Sequence, residues 1–541
     1  MRIFLLLILS SSFLFSQTNI TASEKNTLLN LYQQTDGENW SIQWDLNKEP
    51  RSWYGVKIKN GSVIELRLNA NLLKGSLPSL SGLPNLKKLD IASNRITGSI
   101  SSINNLIYLE KLDISDNLFS GDISNEFSAL SNLTELHIGE NQFTLSQPNT
   151  FLQNFRKLTH LDISNTQLST VPNSILSLQN LSFLNLNNNH LENNIAGLSS
   201  IKTLEILYLS NNKINQIPTS FTQLNQLKEL NLGHNLFTNA TVSNLKHLEH
   251  VEWLSLENNQ LTTIPTEITN LKKLVHLNLG RNQIINGFST VATLENLQQL
   301  WLNNNKLEGN FPNRLLQAPK LLMVSLANNN LSGNLPSQLP FVTDIRNNRF
   351  TLIDIKNYTD NTHKEIEFLF SPQRYDDAKT IGASLGGAAT LTQSLTSNEG
   401  YQFSWFKNLE NNTNIKTESL RLNPIKAEDF TSYTSEAYFL QIQDNKAFEM
   451  SFFREPISLE NELGIEELKK DIAIYPNPTS DFINILSKNI KVSEAHIYDL
   501  TGKHILSTEQ SRINVQSFPS GAYVITLKTE KGIISFKWIK N

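Results

Sequence analysis

Two short stretches of this chain carry residue types that could do chemistry. Gly382-Ala383-Ser384-Leu385-Gly386 spells G-x-S-x-G, the spacing in which a serine on a sharp strand-to-helix turn becomes a nucleophile. That chemistry needs a helix after the serine, then an acid and a histidine further along. Here small residues lead instead into Ala389-Thr390-Leu391-Thr392, whose alternation has the period of a strand. His247 and His250, with Glu249 between them, lack the H-E-x-x-H spacing that sets two zinc ligands and a base on one helix face. Neither a calcium-loop spacing nor a phosphate-cradling glycine loop occurs. The 541 residues contain no cysteine, which removes thiolate metal sites, a cysteine nucleophile, disulfides and an N-terminal lipid anchor together. The sequence reads as a non-enzyme, with no catalytic residue, no metal and no cofactor expected.

The bulk numbers agree with a folded chain of several domains. Hydrophobic residues make up 39% and charged residues 18%, and the net charge is −4 with no long basic run, so a nucleic-acid surface is not expected. Residues 1–16 read as a cleavable secretory signal: Arg2 supplies the charge, Ile3 to Leu9 with Phe13 to Phe15 the apolar stretch, and Ser16 the small residue before Gln17. No other apolar run reaches membrane length, so no transmembrane segment is expected in the mature chain.

What must position any functional residue is a repeat of about 23 residues, L-x-x-L-x-L-x-x-N-x-L, running from Val63 to Phe350. With the asparagine as zero, its copies fall at Asn71, Asn94, Asn117, Asn141, Thr166, Asn189, Asn212, Asn235, Asn259, Asn282, Asn305, Asn329 and Asn348. Units this small cannot bury an apolar face alone, so they must stack. The Leu-x-Leu alternation puts leucines inward, and the buried asparagine amide must bond to neighbouring turns, because an unpaired one costs roughly 1–3 kcal/mol. This pattern resembles the leucine-rich repeat family over residues 61–352. Units such as Leu73-x-Gly75-x-Leu77-Pro78 resemble the plant-type subclass, and Leu261-x-x-Ile264-Pro265 the shorter bacterial one. The resemblance implies an α/β solenoid with a parallel β-sheet on its concave face, roughly 60 Å long at the usual strand spacing. Residues 17–60 are expected to cap it, through a Thr21-x-x-Glu24 capping box and packing of Trp40, Trp44 and Trp53.

Positions −6, −4, −2 and −1 before each asparagine should face out. In the first five repeats they are charged and mixed in sign, among them Glu65, Arg67, Lys88, Asp90, Lys111, Asp113, Glu135 and Asp162. From the sixth repeat Phe183, Tyr208, Trp253, His276 and Trp301 enter, and these five are the candidate ligand-binding residues. Tyr208, Trp253 and Trp301 lie two strands apart in turn, which predicts a dispersed track rather than a cluster.

Beyond residue 352 the period stops. Short alternating runs over 353–458, with Trp405 and Glu428-Asp429-x-x-x-Tyr433, resemble an immunoglobulin-like β-sandwich with its tyrosine corner; Ser435 stands where the bridged variety has cysteine. Residues 459–471 read as a linker. Residues 472–541 carry Pro476-Asn477-Pro478, Thr501-Gly502-Lys503 and Pro519-Ser520-Gly521-Ala522-Tyr523, and are expected to form a small β-sandwich. They resemble the C-terminal sorting domain of type IX (Por) secretion cargo. That resemblance implies export by the secretion machinery of a Gram-negative bacterium, with release or attachment to surface lipopolysaccharide. The expected function is a secreted or surface-displayed recognition or adhesion protein whose repeats bind an extracellular protein partner. The alternative is a glycan binder that uses the aromatic and amide track.

Overall fold

A computed structural model describes residues 19–361, 366–443, 446–461, 471–500, 503–530 and 532–541. The expected signal segment, Gly502 and most of the expected linker lie outside these residues. One compact unit comprises the described residues up to 345 with 356–369, and a second comprises 346–355 with 370–541.

The first unit is a solenoid built on a 15-stranded sheet. A hairpin of Val56–Lys59 with Ser62–Arg67 opens the sheet antiparallel, and parallel three-residue strands follow, one per repeat. On the far side of each turn the chain returns through short 3₁₀ segments such as Thr219–Gln223 and Thr266–Asn270. The first four repeats add a second parallel ladder, Lys74–Ser76, Arg95–Gly98, Leu118–Asp122 and Gln142–Thr144, and Glu308–Gly309 with Asn330–Leu331 forms a shorter one. The sheet does not stop at residue 352 as the leucine period does: after a helix at Leu352–Asn361, the strand Glu367–Leu369 pairs in parallel with Val342–Asp344.

The asparagines form the expected ladder. Asn212 donates to the carbonyls of Leu186, Leu209 and Ser210 at 3.0, 3.1 and 3.2 Å, and its oxygen accepts the Leu191 N–H at 2.9 Å. Asn94, Asn189, Asn235 and Asn282 repeat this pattern of one bond backward to an earlier turn and two within their own. Thr166 bonds its own turn and the next, through its hydroxyl to the Ile163 carbonyl at 2.7 Å and the Asn189 oxygen at 3.4 Å, and it is the neighbouring Asn165 that reaches back, to the Asn141 carbonyl at 3.1 Å.

The N-terminal cap is helix Ala22–Gln34, with both bonds of the Thr21–Glu24 capping box made. Glu24 also accepts the N–H of Val63 at 3.0 Å, which ties the helix to the first repeat strand. Trp44 stacks between Tyr32 and Trp53 at 5.8 and 4.8 Å and meets the edge of Trp40 at 5.0 Å. All three indoles are buried with their N–H groups bonded to carbonyls, so the tryptophans are cap packing.

In the second unit, strands Gln373–Tyr375, Lys446–Arg454, Ser432–Gln443, Gln402–Lys407 and Asn411–Asn412 form one sheet, extended by Ile457–Asn461 and Lys379–Ala383. The pair Ala389–Thr392 and Ser419–Leu422 is separate, and Trp405, Tyr433, Leu391, Leu420, Ile457 and Leu459 form the core between them. The Tyr433 hydroxyl donates to the Asp429 carbonyl at 3.0 Å, which closes the expected corner. The C-terminal residues form a three-stranded and a four-stranded antiparallel sheet around Ile483, Ile497, Ile525 and Trp538.

Removing one rung of the ladder leaves buried backbone groups unpaired. Asn212→Ala should destabilise the solenoid by about 2–4 kcal/mol in urea unfolding, and Thr166→Asn should stabilise it by about 1 kcal/mol by restoring the missing rung. Equal effects of opposite assignment, or none, would show that the ladder does not carry the stack.

Candidate functional site

The concave face presents two straight rows of side chains, because every parallel strand is in register with the next. Row −6 runs His160, Phe183, Ile206, Glu229, Trp253, His276, Gln299. Row −4 runs Asp162, Asn185, Tyr208, Asn231, Ser255, Asn278, Trp301. Between the rows the leucine of each strand is fully buried, for example Leu184, Leu207 and Leu254. Phe183, Tyr208, Trp253, His276 and Trp301 all stand on this face half-buried.

Tyr208, Trp253 and Trp301 stand apart along the face, but Tyr208 joins a contiguous group with Phe183. Phe183 lies edge-on to Tyr208 at 5.6 Å and stacks beside His160 at 5.8 Å, and His137 closes the group at 6.0 Å from Phe183. His137 and His160 were not among the candidates, although they occupy slots −4 and −6 of their repeats and the register alone would have placed them there. Trp253 and Trp301 stand further along, two and four strands beyond Tyr208. His276 pairs with Gln299 on the next strand, its Nδ1 3.1 Å from the amide oxygen.

Burial and neighbouring groups shift the titration of two members of the cluster. Burial, with help from His137 and Lys111, pushes the His160 imidazole below its usual range against the pull of Glu135. The Tyr208 phenol donates to Glu229 at 2.9 Å, and burial together with that carboxylate pushes its pKa up to about 12. At the charged end of the face, burial and the neighbouring Asp113 raise the Asp90 carboxyl.

Slot −4 has a local structural duty. Its short acceptor side chain takes the backbone N–H two residues on: Asp113 from Ser115 at 3.1 Å, Asp162 from Ser164 at 2.9 Å, Asn185 from Asn187 at 3.0 Å, Asn278 from Gly280 at 3.0 Å. Nine of the thirteen repeats place Asp, Asn or Ser there, and the exceptions are Arg67, His137, Tyr208 and Trp301. At Tyr208 the orphaned N–H of Ser210 is taken over by the Asn187 oxygen of the preceding repeat, at 2.6 Å. Slot −1 is constrained as well, against the expectation of a freely variable position. Its residue has positive φ in every repeat, from Ala70 at 51° to Asn347 at 54°, which is why asparagine is so common there.

The two motifs with catalytic spacing do not assemble. Ser384 follows strand Lys379–Ala383 in a turn that leads to strand Ala389–Thr392, so the helix of a nucleophile elbow is not formed. His247 and His250 are exposed beside a 3₁₀ segment, Ser243–His247.

In the C-terminal sheets, Asn477 clips the loop that also holds the exposed Pro476 and Pro478 to the last strand. Its amide donates to the Lys537 carbonyl at 3.1 Å and accepts the Ile539 N–H at 2.9 Å. Tyr523 is buried against Trp538 at 5.0 Å, with its hydroxyl on the Pro519 carbonyl at 2.8 Å, and Gly521 is exposed at the start of that strand.

Residues 473–541 match the family model of the secretion system C-terminal sorting domain. Leucine rich repeat models match residues 85–106, 108–130, 131–191, 197–237, 226–284 and 296–317. Among solved structures the chain is similar to the leucine-rich repeat ectodomain of the plant membrane receptor kinase GASSHO1/SCHENGEN3 from Arabidopsis thaliana, in complex with CASPARIAN STRIP INTEGRITY FACTOR 2. Identity is 25% and the TM-score 0.50, over 67% of this chain and 50% of that one. It is similar too to the ectodomain of the Arabidopsis receptor kinase HAESA in complex with an N-terminally extended IDA peptide hormone, at 26% identity and TM-score 0.50, over 66% of each chain. The chain thus spans about half the length of the first of these ectodomains. No curated protein sequence matches it. No helix among the described residues is long and apolar enough to cross a membrane.

If Tyr208 and Trp301 stand in slots that the fold would fill with asparagine, returning that residue should not harm the fold. Tyr208→Asn and Trp301→Asn should leave stability unchanged or raise it by up to about 1 kcal/mol, measured by urea unfolding. A loss of several kcal/mol would mean that the aromatic rings serve packing.

Proposed function

We propose that this chain, a leucine-rich repeat protein that ends in a secretion system C-terminal sorting domain, is an exported recognition protein that binds a polypeptide partner along its concave face. The observation that carries this reading is the pair of aromatic residues, Tyr208 and Trp301, in a slot whose local hydrogen bonding favours Asp, Asn or Ser. Large rings half-exposed on a rigid sheet supply contact area at small entropic cost, which suits binding rather than folding. The similar HAESA ectodomain carries a peptide hormone, and this supports a polypeptide over a sugar as the ligand. The repeats act as a binder and not as an enzyme. The sorting domain directs the chain through type IX secretion to the cell surface or beyond it, and an adhesive role fits that location.

The test is a parallel screen of the full chain against arrays of extracellular proteins and of glycans, followed by Tyr208→Ala, Trp253→Ala and Trp301→Ala combined. A protein hit weakened at least about a hundredfold in the triple variant, which removes several hot-spot side chains at once, is the expected result. Hits confined to glycans, or protein binding that the triple variant retains, would overturn the reading.

A further inference from the structure

The chemistry of the partner can be narrowed, on the footing that the concave face binds a polypeptide. Across the six repeats from Glu135 to Asn258, the four outward slots hold five carboxylates, Glu135, Glu140, Asp162, Glu229 and Glu257, and no lysine or arginine. The two outermost are neutralised from the flanking repeats: Lys111 pairs with Glu135, and Arg281 with Glu257 at 3.3 Å. The inner three meet only neutral donors, Asn188 on Glu140 at 2.5 Å, Asn185 on Asp162 at 2.9 Å and Tyr208 on Glu229 at 2.9 Å. Each therefore has no cationic partner on the face among the described residues, and has lone pairs to spare.

These carboxylates flank the ring cluster. Asp162 lies on the strand beside Phe183, and Glu229 on the strand beside Tyr208, while the two rings touch at 5.6 Å. An aromatic step between two uncompensated carboxylates suits a cation that is also flat. Guanidinium meets that description better than ammonium, because it stacks on rings, is weakly hydrated and forks to a carboxylate through two N–H groups.

We propose that Phe183 and Tyr208, with Asp162 and Glu229 beside them, hold an arginine side chain of a basic partner polypeptide. The flanking pairs Lys111–Glu135 and Arg281–Glu257 then mark the ends of the acidic stretch, and the basic character of the partner extends over the strands between them.

The test uses phage-displayed random peptides selected on the immobilised full chain at low ionic strength. Selected peptides are then synthesised with their arginines kept, or replaced by lysine or by the neutral isostere citrulline. Enrichment of basic peptides is expected, with about tenfold or greater weakening by citrulline and an intermediate loss with lysine. In the protein, Asp162→Asn with Glu229→Gln should weaken binding to a similar extent and flatten its salt dependence. Neither change threatens the fold, since asparagine already fills the Asp162 slot in other repeats and glutamine can still accept from Tyr208. Peptides that need Tyr208, Trp253 and Trp301 but ignore citrulline and the double variant would overturn the arginine site and leave polypeptide binding standing. Equal binding of the lysine peptides would overturn the choice of guanidinium. Failure to enrich any peptide that depends on those three rings would overturn both readings.

Discussion

A buried amide that must be satisfied in two turns at once governs this structure. Asn212 donates to the Leu186 carbonyl 26 residues back and accepts the Leu191 N–H 21 residues back, so the distance between equivalent points on successive turns is fixed by hydrogen bonding rather than by packing alone. Leucines of similar volume would tolerate a slip, whereas a slipped amide would leave several buried polar groups unpaired. Strand register follows from that fixed distance, and straight rows of side chains on the concave face follow from the register. The tie of Glu24 to Val63 at one end does for the first turn what the ladder does for the rest.

The ladder also settles which positions are free to vary. The leucines are buried, the residue before each asparagine is held at positive φ, and slot −4 is asked for a short acceptor. Slot −6 carries no such duty, and Glu, Lys, His, Phe, Ile, Trp and Gln all occur there. Departures in slot −4 are therefore informative without any comparison between homologues, because the chain itself supplies many instances of the local rule. His137, Tyr208 and Trp301 break that rule on a face where nothing in the fold requires a ring.

How much of this could be read from the sequence depended on whether period or contact was at issue. The repeat, its inward leucines, the ladder and the tryptophan cap all follow from spacing, and all were legible. The closing of Tyr433 onto Asp429 was legible as well, since that corner is local in sequence. The alternation at residues 366–370 was legible as a strand, but its place was not, because it extends the repeat sheet by backbone pairing after the leucine period has ended. Positive φ before each asparagine was missed although asparagine is common there, because Ala70, Glu140 and Arg281 in the same slot dilute the signal. The ring cluster was half legible. Register put Phe183 and Tyr208 on the face, but whether neighbouring rings touch depends on side-chain rotamers and on which of the two rows each occupies.

The geometry of the face bears on the form of any ligand. Each repeat places two side chains in the concave rows, and neighbouring strands are roughly 4.8 Å apart, so information is laid out along the solenoid in small increments. A compact small molecule would contact too few strands to read it. An extended chain lying across the strands meets a new pair of slots at intervals of the same order as its own residue spacing of about 3.3 Å, so many of its side chains can be sampled in turn. On the proposed reading, the change in character along the face, from mixed charge through the acidic ring cluster to Trp253 and Trp301, would meet different segments of one partner. A rigid ladder suits that task, since a preformed backbone lowers the ordering cost on the protein's side.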